Sequence, residues 1–270
     1  MRILLCNDDG ITAQGIVAMH DALTDPEGLF GGPLGEVFVV APLTVQSATG
    51  HGVTFREPLM TAQVDVNEGM SGVAVDGRPA DCVKLALAEL WPERFGAGSR
   101  PDLVVSGMNM GANVGINILY SGTCAAAIEA AFLGVPSVAV SLRIDGGRPR
   151  YDVAAGYARR VLERLLAGGP LAPHTCLNVN IPITESDGPM PAVAAASMNT
   201  HGMIDAFTRN KNPLGQTYFW SSGQPMEFHA TEAGSDVQAL AERKITVTPL
   251  KFDMTDHGRM SEVAQRLGHG

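Results

Sequence analysis

Short apolar runs alternate with helix-length amphipathic stretches along the first two-thirds of the chain, and each run stops at small polar residues. Residues 2–6 are apolar up to Asn7-Asp8-Asp9-Gly10, the pattern of a parallel strand buried on both faces. A helix follows with Ile16, Met19 and Leu23 on one face, and a second strand runs from Glu36 to Ala41 and ends at Pro42. Residues 72–76 make a third strand, and Pro79 opens a helix that buries Val83, Leu87 and Leu90. A strand at Asp102–Val105 runs into Ser106-Gly107, and Ser121-Gly122-Thr123 opens an alanine-rich helix ending near Gly134. Strands at 137–142 and 176–181 flank a helix at 151–166. This alternation predicts βαβ units and a doubly wound, Rossmann-like, mostly parallel α/β sheet.

The character changes after Pro182. Residues 183–235 are rich in Gly, Pro, Asn, Ser and Met, with short strand-like pieces such as Thr217–Trp220. The expected organisation is an α/β catalytic domain over 1–182, an extended β-arm or hairpin over 183–235, and a final strand with a C-terminal helix over 236–270. An arm with so little core of its own is expected to pack on another subunit, giving a homo-dimer or homo-tetramer.

Composition narrows the function. At 270 residues with 45% hydrophobic and 17% charged residues, the chain can bury a large core. Its net charge of −9 argues against a nucleic-acid duplex surface, which needs a stripe of Lys and Arg to replace counterions. The only lysines are Lys84, Lys211, Lys244 and Lys251, so a phosphate ligand would meet its positive charge mostly from a cation and helix N-termini. Cys6, Cys82, Cys124 and Cys176 form no CxxC pair and read as reduced, buried thiols of a cytoplasmic protein. The apolar start is too short for a signal peptide, and no run is long enough to span a membrane.

In an open α/β sheet, ligands bind beyond the carboxyl ends of the parallel strands. After the first strand come Asn7, Asp8 and Asp9; after the second, Gln46, Ser47 and Thr49; after Val105, Ser106, Asn109 and Asn113. Such oxygen donors suit Mg²⁺, Mn²⁺ or Ca²⁺ rather than zinc. Adjacent carboxylates at a strand end repel each other unless a cation neutralises them. The competing reading of Asn-Asp-Asp-Gly is a simple turn and cap. Ser121, Gly122 and Thr123 open a helix with small first turns, whose free N–H groups form an anion site; an ordinary N-cap is the competing reading. Neither GxxxxGK[ST] nor a GxGxxG after the first strand occurs, which excludes a P-loop hydrolase and disfavours a dinucleotide dehydrogenase.

These residues add up to a resemblance. Asn7-Asp8-Asp9-Gly10-Ile11, Ala41-Pro42 with Gln46-Ser47-Ala48, Ser106 to Gly115 (SGMNMGANVG) and Tyr120-Ser121-Gly122-Thr123 resemble the signature blocks of the SurE family, the survival-protein nucleotidases. Pro79-Ala80-Asp81-Cys82-Val83, Asn178-Val179-Asn180-Ile181-Pro182 and Ile245 to Leu250 match further blocks in the same order. The resemblance implies a 5′/3′-nucleotidase acting on nucleoside monophosphates. It implies one divalent metal per subunit, Mg²⁺ or Mn²⁺, on Asp8, Asp9, Ser47 and Asn109, and an arm exchanged between subunits. Leu43 stands where the family has an Asp, and Arg78 where it has a Thr, which bears on substrate preference.

The expected chemistry is hydrolysis by a metal-activated water. Asp8 or Asp9 orients or deprotonates that water, Asn109 lies between metal and substrate, and Ser121, Gly122 and Thr123 hold the phosphate. Asn7, Asn113 and His51 are further candidates, His51 as a proton donor to the leaving alkoxide or as a loop-packing histidine. Two rivals use a phosphorylated aspartate, the haloacid-dehalogenase-type phosphatase and the receiver-type switch. Both need a later Lys, and no lysine lies between 84 and 211. A phosphatase for other small phosphate esters and a non-catalytic nucleotide- or phosphate-binding assembly protein are the remaining alternatives.

Overall fold

A computed structural model of the chain describes residues 1–184, 188–223 and 226–268. Residues 185–187 and 224–225 of the expected arm, and 269–270 of the expected C-terminal segment, lie outside the described residues.

The apolar runs form the sheet. Strands β1 (Arg2–Cys6), β2 (Glu36–Pro42), β3 (Thr61–Asp65), β4 (Ser71–Val75), β5 (Leu103–Met110), β6 (Ser137–Leu142) and β7 (Cys176–Ile181) are joined by β8 (Val193–Ala195) and β11 (Ile245–Leu250). Among the described residues these nine strands stand in the order β3-β4-β2-β1-β5-β6-β7-β11-β8. The pairs β1–β2, β1–β5, β2–β4, β5–β6, β6–β7 and β8–β11 are parallel, whereas β3–β4 and β7–β11 are antiparallel. The chain builds outward from β1 on one side through β2 and β4, then returns to start β5 on the other. Strand order therefore reverses between β1 and β5, which places a crevice at their carboxyl ends.

Alternate side chains of each central strand feed two cores. Ile3, Leu5, Val39, Val105, Val138 and Val140 pack under helices α1 (Gln14–Thr24) and α5 (Tyr151–Leu166). Leu4, Cys6, Phe38, Val40, Val73 and Val104 pack on the opposite face, with Val83 of α2 (Pro79–Leu85), Ala126 and Ala130 of α4 (Gly122–Phe132), and Trp91 of α3 (Trp91–Phe95). A π-helical turn, Ala86–Leu90, joins α2 to α3. This is the doubly wound sheet that the alternation predicts. All four cysteines are free and buried, and no helix among the described residues is long and apolar enough to cross a membrane.

Several features depart from the periodic reading. Strand β5 continues five residues beyond Val105, through Ser106 to Met110, because a bulge keeps it paired. Ser106 opposes Ala139 and Asn109 opposes Ser141, so β5 holds one extra residue there. Gly107 permits the close approach: a Cβ would lie 2.2 Å from the Val140 carbonyl oxygen. Strand β3 also escaped the sequence reading, since its alternation is weak and it is exposed apart from the half-buried Val64.

Between residues 183 and 235, β8 adds to the main sheet, while β9 (Phe207–Lys211) and β10 (Thr217–Ser221) form a separate two-stranded antiparallel hairpin. Helix α6 (Asp236–Ala241), capped by the Ser235 hydroxyl, precedes β11, and helix α7 (Met260–Arg266) ends the described chain with no buried residue.

Candidate active site

The crevice at the ends of β1 and β5 is built around Asp8. Its side chain is 3% exposed and accepts a hydrogen bond from the Thr123 hydroxyl in the first turn of α4. Its backbone carbonyl accepts the Gln46 N–H at 2.8 Å, which brings the loop carrying Ser47 against β1. Asp9 accepts the Met110 N–H at 2.9 Å, which brings the end of β5 with Asn109 to the same place. Three bonds thus collect the candidates from three strand ends.

Local sequence explains the geometry. The Asn7 side chain donates to the Gly10 carbonyl at 2.8 Å and closes the turn, while Gly10 takes φ +98°, a conformation only glycine adopts freely. Gly15 lets α1 press on β5, where a Cβ would lie 2.0 Å from the Met108 carbonyl oxygen. Gly122 is equally constrained, because a Cβ there would lie 2.9 Å from the Asp8 Cβ and 3.0 Å from Pro79. The carboxylate pair and the phosphate turn, two separate features in the sequence, are in contact.

Burial raises the Asp8 carboxyl to about 6, with the Asp9 charge adding to the shift and the Thr123 hydrogen bond opposing it. Burial likewise raises Asp9, against the Met110 N–H. The Tyr151 phenol, at the start of α5, is raised by burial and by the Asp9 charge. It borders the site without any sequence motif to mark it.

The donor set fits a hard divalent cation. Among the described residues no group of three His, Cys, Asp or Glu could hold a metal ion, so a cation here draws on neutral oxygens beside the two carboxylates. The Asn109 amide nitrogen donates to the Gly111 carbonyl at 2.8 Å, leaving its Oδ1 as a donor to a cation. Ser47 is exposed on the loop. Asn7 Oδ1, next in chain to Asp8, is buried without a partner among the described residues.

The phosphate turn has the chemistry of an anion site. The Ser121 hydroxyl caps α4 by accepting the Cys124 N–H at 3.1 Å. The first-turn N–H groups of Gly122 and Thr123 lie beyond that cap, at the positive end of the helix. Thr123 is more closely engaged than the sequence suggests, since its hydroxyl is committed to Asp8.

Other candidates sit apart from this centre. Ser106 lies within β5, its hydroxyl buried without a partner among the described residues, so it is not on the rim. Asn113 is a buried hub: its N–H donates to Asn180, its amide nitrogen to Ser141, and its carbonyl accepts from Asn178 and Asn180. Gly115 donates to Asp236 at 2.8 Å. Asp236 also accepts the Asn199 N–H at 2.9 Å, and Phe228 and the Asn199 carbonyl lie 3.0 and 3.2 Å from where a Gly115 Cβ would be.

His51 lines a cavity together with Ser121, on the α4 side of the site. Its Nε2 is 2.7 Å from Glu129, and its ring stacks on Phe132 with centroids 5.2 Å apart. Glu129 follows Ser121 by eight residues, about 12 Å along α4. Glu129 also accepts Lys84 at 3.0 Å; burial pushes its carboxyl up, but the bonds from His51 and Lys84 outweigh burial and hold it below its ordinary value. The sequence signal for this cluster was a lone carboxylate in the otherwise uncharged run Cys124–Phe132. Arg78 is exposed, with its guanidinium against Gly52, and Leu43 is exposed on the rim.

Fold and crevice together define an α/β protein with an acidic, oxygen-lined site beside a helix N-terminus. The family model described as survival protein SurE matches residues 3–203. A protein of Heliobacterium modesticaldum named 5'-nucleotidase SurE is 42% identical over 100% of this chain and 93% of its own length. Another of that name from Syntrophobacter fumaroxidans is 41% identical over 95% and 96%. The crystal structure of SurE protein from Aquifex aeolicus superposes with a TM-score of 0.80 at 32% identity, covering 99% of this chain and 100% of that one. The chain belongs to the SurE family.

Proposed function

We propose that this chain is a metal-dependent phosphomonoesterase that hydrolyses nucleoside 5′- or 3′-monophosphates to nucleoside and phosphate. That it is a hydrolase of the nucleotidase kind rests on family membership and on relatives so named at 42% and 41% identity over almost their whole lengths. The observation that carries the rest is the contact between the carboxylate pair and the anion-binding turn, made by Thr123 on Asp8. In this reading the contact puts the candidate cation site and the candidate phosphate site within one side chain of each other.

In this reading Asp8, Asp9, Ser47 and Asn109 hold one divalent cation per subunit, Mg²⁺ or Mn²⁺. Bound there, the cation supplies charge neutralisation at the phosphate oxygens and a more acidic water. The protein's own groups do the remainder. The Gly122 and Thr123 N–H groups take phosphate oxygens at the helix N-terminus. Thr123 fixes the Asp8 carboxylate, and Met110 fixes Asp9, so both are set before substrate arrives. Asp8 or Asp9 accepts the proton of the attacking water.

The arm is read as the oligomerisation element, with residues 183–235 exchanged between copies in a dimer or tetramer. The support is the β9–β10 hairpin, where Phe207, Phe219 and Trp220 are exposed beyond the main sheet. Four free buried thiols accord with a cytoplasmic location.

The test is phosphate release from a panel of nucleoside 5′- and 3′-monophosphates and an aryl phosphate, with Mg²⁺, with Mn²⁺ and with chelator. Release that needs metal and favours nucleotides is expected. Metal-independent release, or none from any nucleotide, would overturn the reading.

A further inference from the structure

We propose that Glu129 is a positioning residue for the candidate cation site: by holding His51 it fixes the loop that carries Ser47. The inference rests on the reading of Ser47 as a cation ligand.

Residues 43–53 have no helix or strand. Their backbone meets the body at a few points: Leu43 N–H on the Val75 carbonyl at 2.8 Å, Gln46 N–H on the Asp8 carbonyl at 2.8 Å, and Gly50 N–H on the Tyr120 carbonyl at 3.0 Å. The Arg78 guanidinium reaches the Val53 carbonyl at 3.5 Å. Of the loop's own side chains, Gln46 and Thr49 bond only within the loop. Within 43–53 His51 is the one side chain bonded to the body among the described residues, to Glu129 at 2.7 Å. The same irregular segment is tied again just beyond, where the Thr54 N–H and hydroxyl each donate to Asp81 at 2.8 Å.

The partner is costly to provide. The Glu129 side chain is 4% exposed, in a helix whose neighbouring positions are alanines and isoleucine. A carboxylate buried there destabilises the fold unless it is paired and hydrogen-bonded. Both oxygens are engaged, one by His51 and one by Lys84. Phe132 stacks on the imidazole and limits its rotation. Glu129 shares α4 with the phosphate turn, and Lys84 belongs to α2, whose Pro79 packs on Gly122. Glu129 thus ties the Ser47 end of the segment to α4 and, through Lys84, to α2, while Asp81 ties its continuation at Thr54 to α2. Such supporting contacts orient ligands that they do not themselves contain.

The experiment is Mn²⁺ binding by calorimetry to the full-length wild type, His51→Ala, Glu129→Ala, Glu129→Gln, the His51→Ala/Glu129→Ala double variant and Ser47→Ala, beside phosphate release at saturating Mn²⁺. The Mn²⁺ Kd is expected to rise about tenfold in each alanine variant at 51 and 129. The double variant should show no further rise, because the two act through one bond. Glu129→Gln, which can still accept from the imidazole, should recover most of the affinity. At saturating Mn²⁺, kcat should stay within about twofold of wild type if both residues act only through the Ser47 loop, and a larger fall in kcat overturns the inference in favour of a direct role for His51.

Wild-type Kd in a folded His51→Ala protein overturns the inference, as do effects that multiply in the double variant. If Glu129→Ala does not fold, His51→Ala, whose side chain is 29% exposed, decides alone. A wild type that binds no Mn²⁺ removes the cation reading itself, an unchanged Kd in Ser47→Ala removes Ser47 from it, and a raised Kd in Ser47→Ala with wild-type Kd at 51 and 129 removes only this inference.

Discussion

The rim at the ends of β1 and β5 and the β9–β10 hairpin are opposite ways of using a chain. At the rim, Asp8, Asn109, Ser121 and Thr123 are all buried, and the two carboxylates are held by Thr123 and Met110, from a helix and a strand far away in sequence. On the hairpin, Phe207, Leu214, Phe219 and Trp220 are exposed, and β9 and β10 pair only with each other. Polar groups are thus taken out of water where they are held by partners, and apolar groups are left in water where the body offers nothing to pack on. The first arrangement makes sense for chemistry and the second for contact with another molecule.

The largest expected break is Asp8→Asn, which should lower phosphate release on the order of a thousandfold while the protein stays folded. The same variant sharpens the comparison through pH. The folded protein holds Asp8 near 6 against an ordinary 3.8, so the fold favours the protonated form. The stability this gives is fully present below pH 3.8 and is lost as pH rises through 6. Its loss amounts to on the order of 3 kcal/mol. In chelator, Asp8→Asn should therefore melt above wild type at pH 8, and the gap should close below pH 4. Equal melting at pH 8 would show that the rim does not strain its carboxylate.

Gly122→Ala should cost roughly a hundredfold in kcat/KM, because its Cβ displaces Asp8 or Pro79. Overpacking there should also cost about 1–3 kcal/mol by denaturant melts. Asn180→Ala leaves the buried Asn113 N–H without its acceptor; the expected loss is about 1–3 kcal/mol. The hairpin should answer differently. Trp220→Ser should change unfolding stability of the isolated subunit by no more than about 0.5 kcal/mol, yet shift sedimentation toward smaller species. A stability loss like that at Asn180 would mean the hairpin packs on its own body.

Most of the doubly wound sheet was legible because buried parallel strands are continuous apolar runs and their helices are periodic. β6, α5 and β7 fall where the sequence places them. The missed pieces carry weak local signals. β8 is three residues long and β3 is largely exposed, so both are strands by pairing and not by pattern. α6 had a usable mark in Ser235-Asp236 before an apolar turn, but it is only six residues. At the site, residue types after each strand gave a wider set, Asn7, Asp8, Asp9, Gln46, Ser47, Thr49, Ser106, Asn109 and Asn113, which only the family resemblance narrowed to Asp8, Asp9, Ser47 and Asn109. What spacing could not convey is which of them touch. Thr123 bonding Asp8, His51 turning to Glu129, and Ser106 staying inside β5 are tertiary outcomes, the last produced by a bulge at Gly107.

The stretch from Asn109 to Ser121 is clasped at its middle. Asn113 is gripped from below by Asn180 and Ser141, and Gly115 from above by Asp236, Asn199 and Phe228. A segment punctuated by Gly111 and Gly115 is, mechanically, a strut with both ends at the candidate site. Its two ends share one frame, and that frame is partly supplied by Asn199 and Phe228, which bracket the hairpin. The root of the arm and the stretch between Asn109 and Ser121 are therefore joined through Gly115, Asn199 and Asp236.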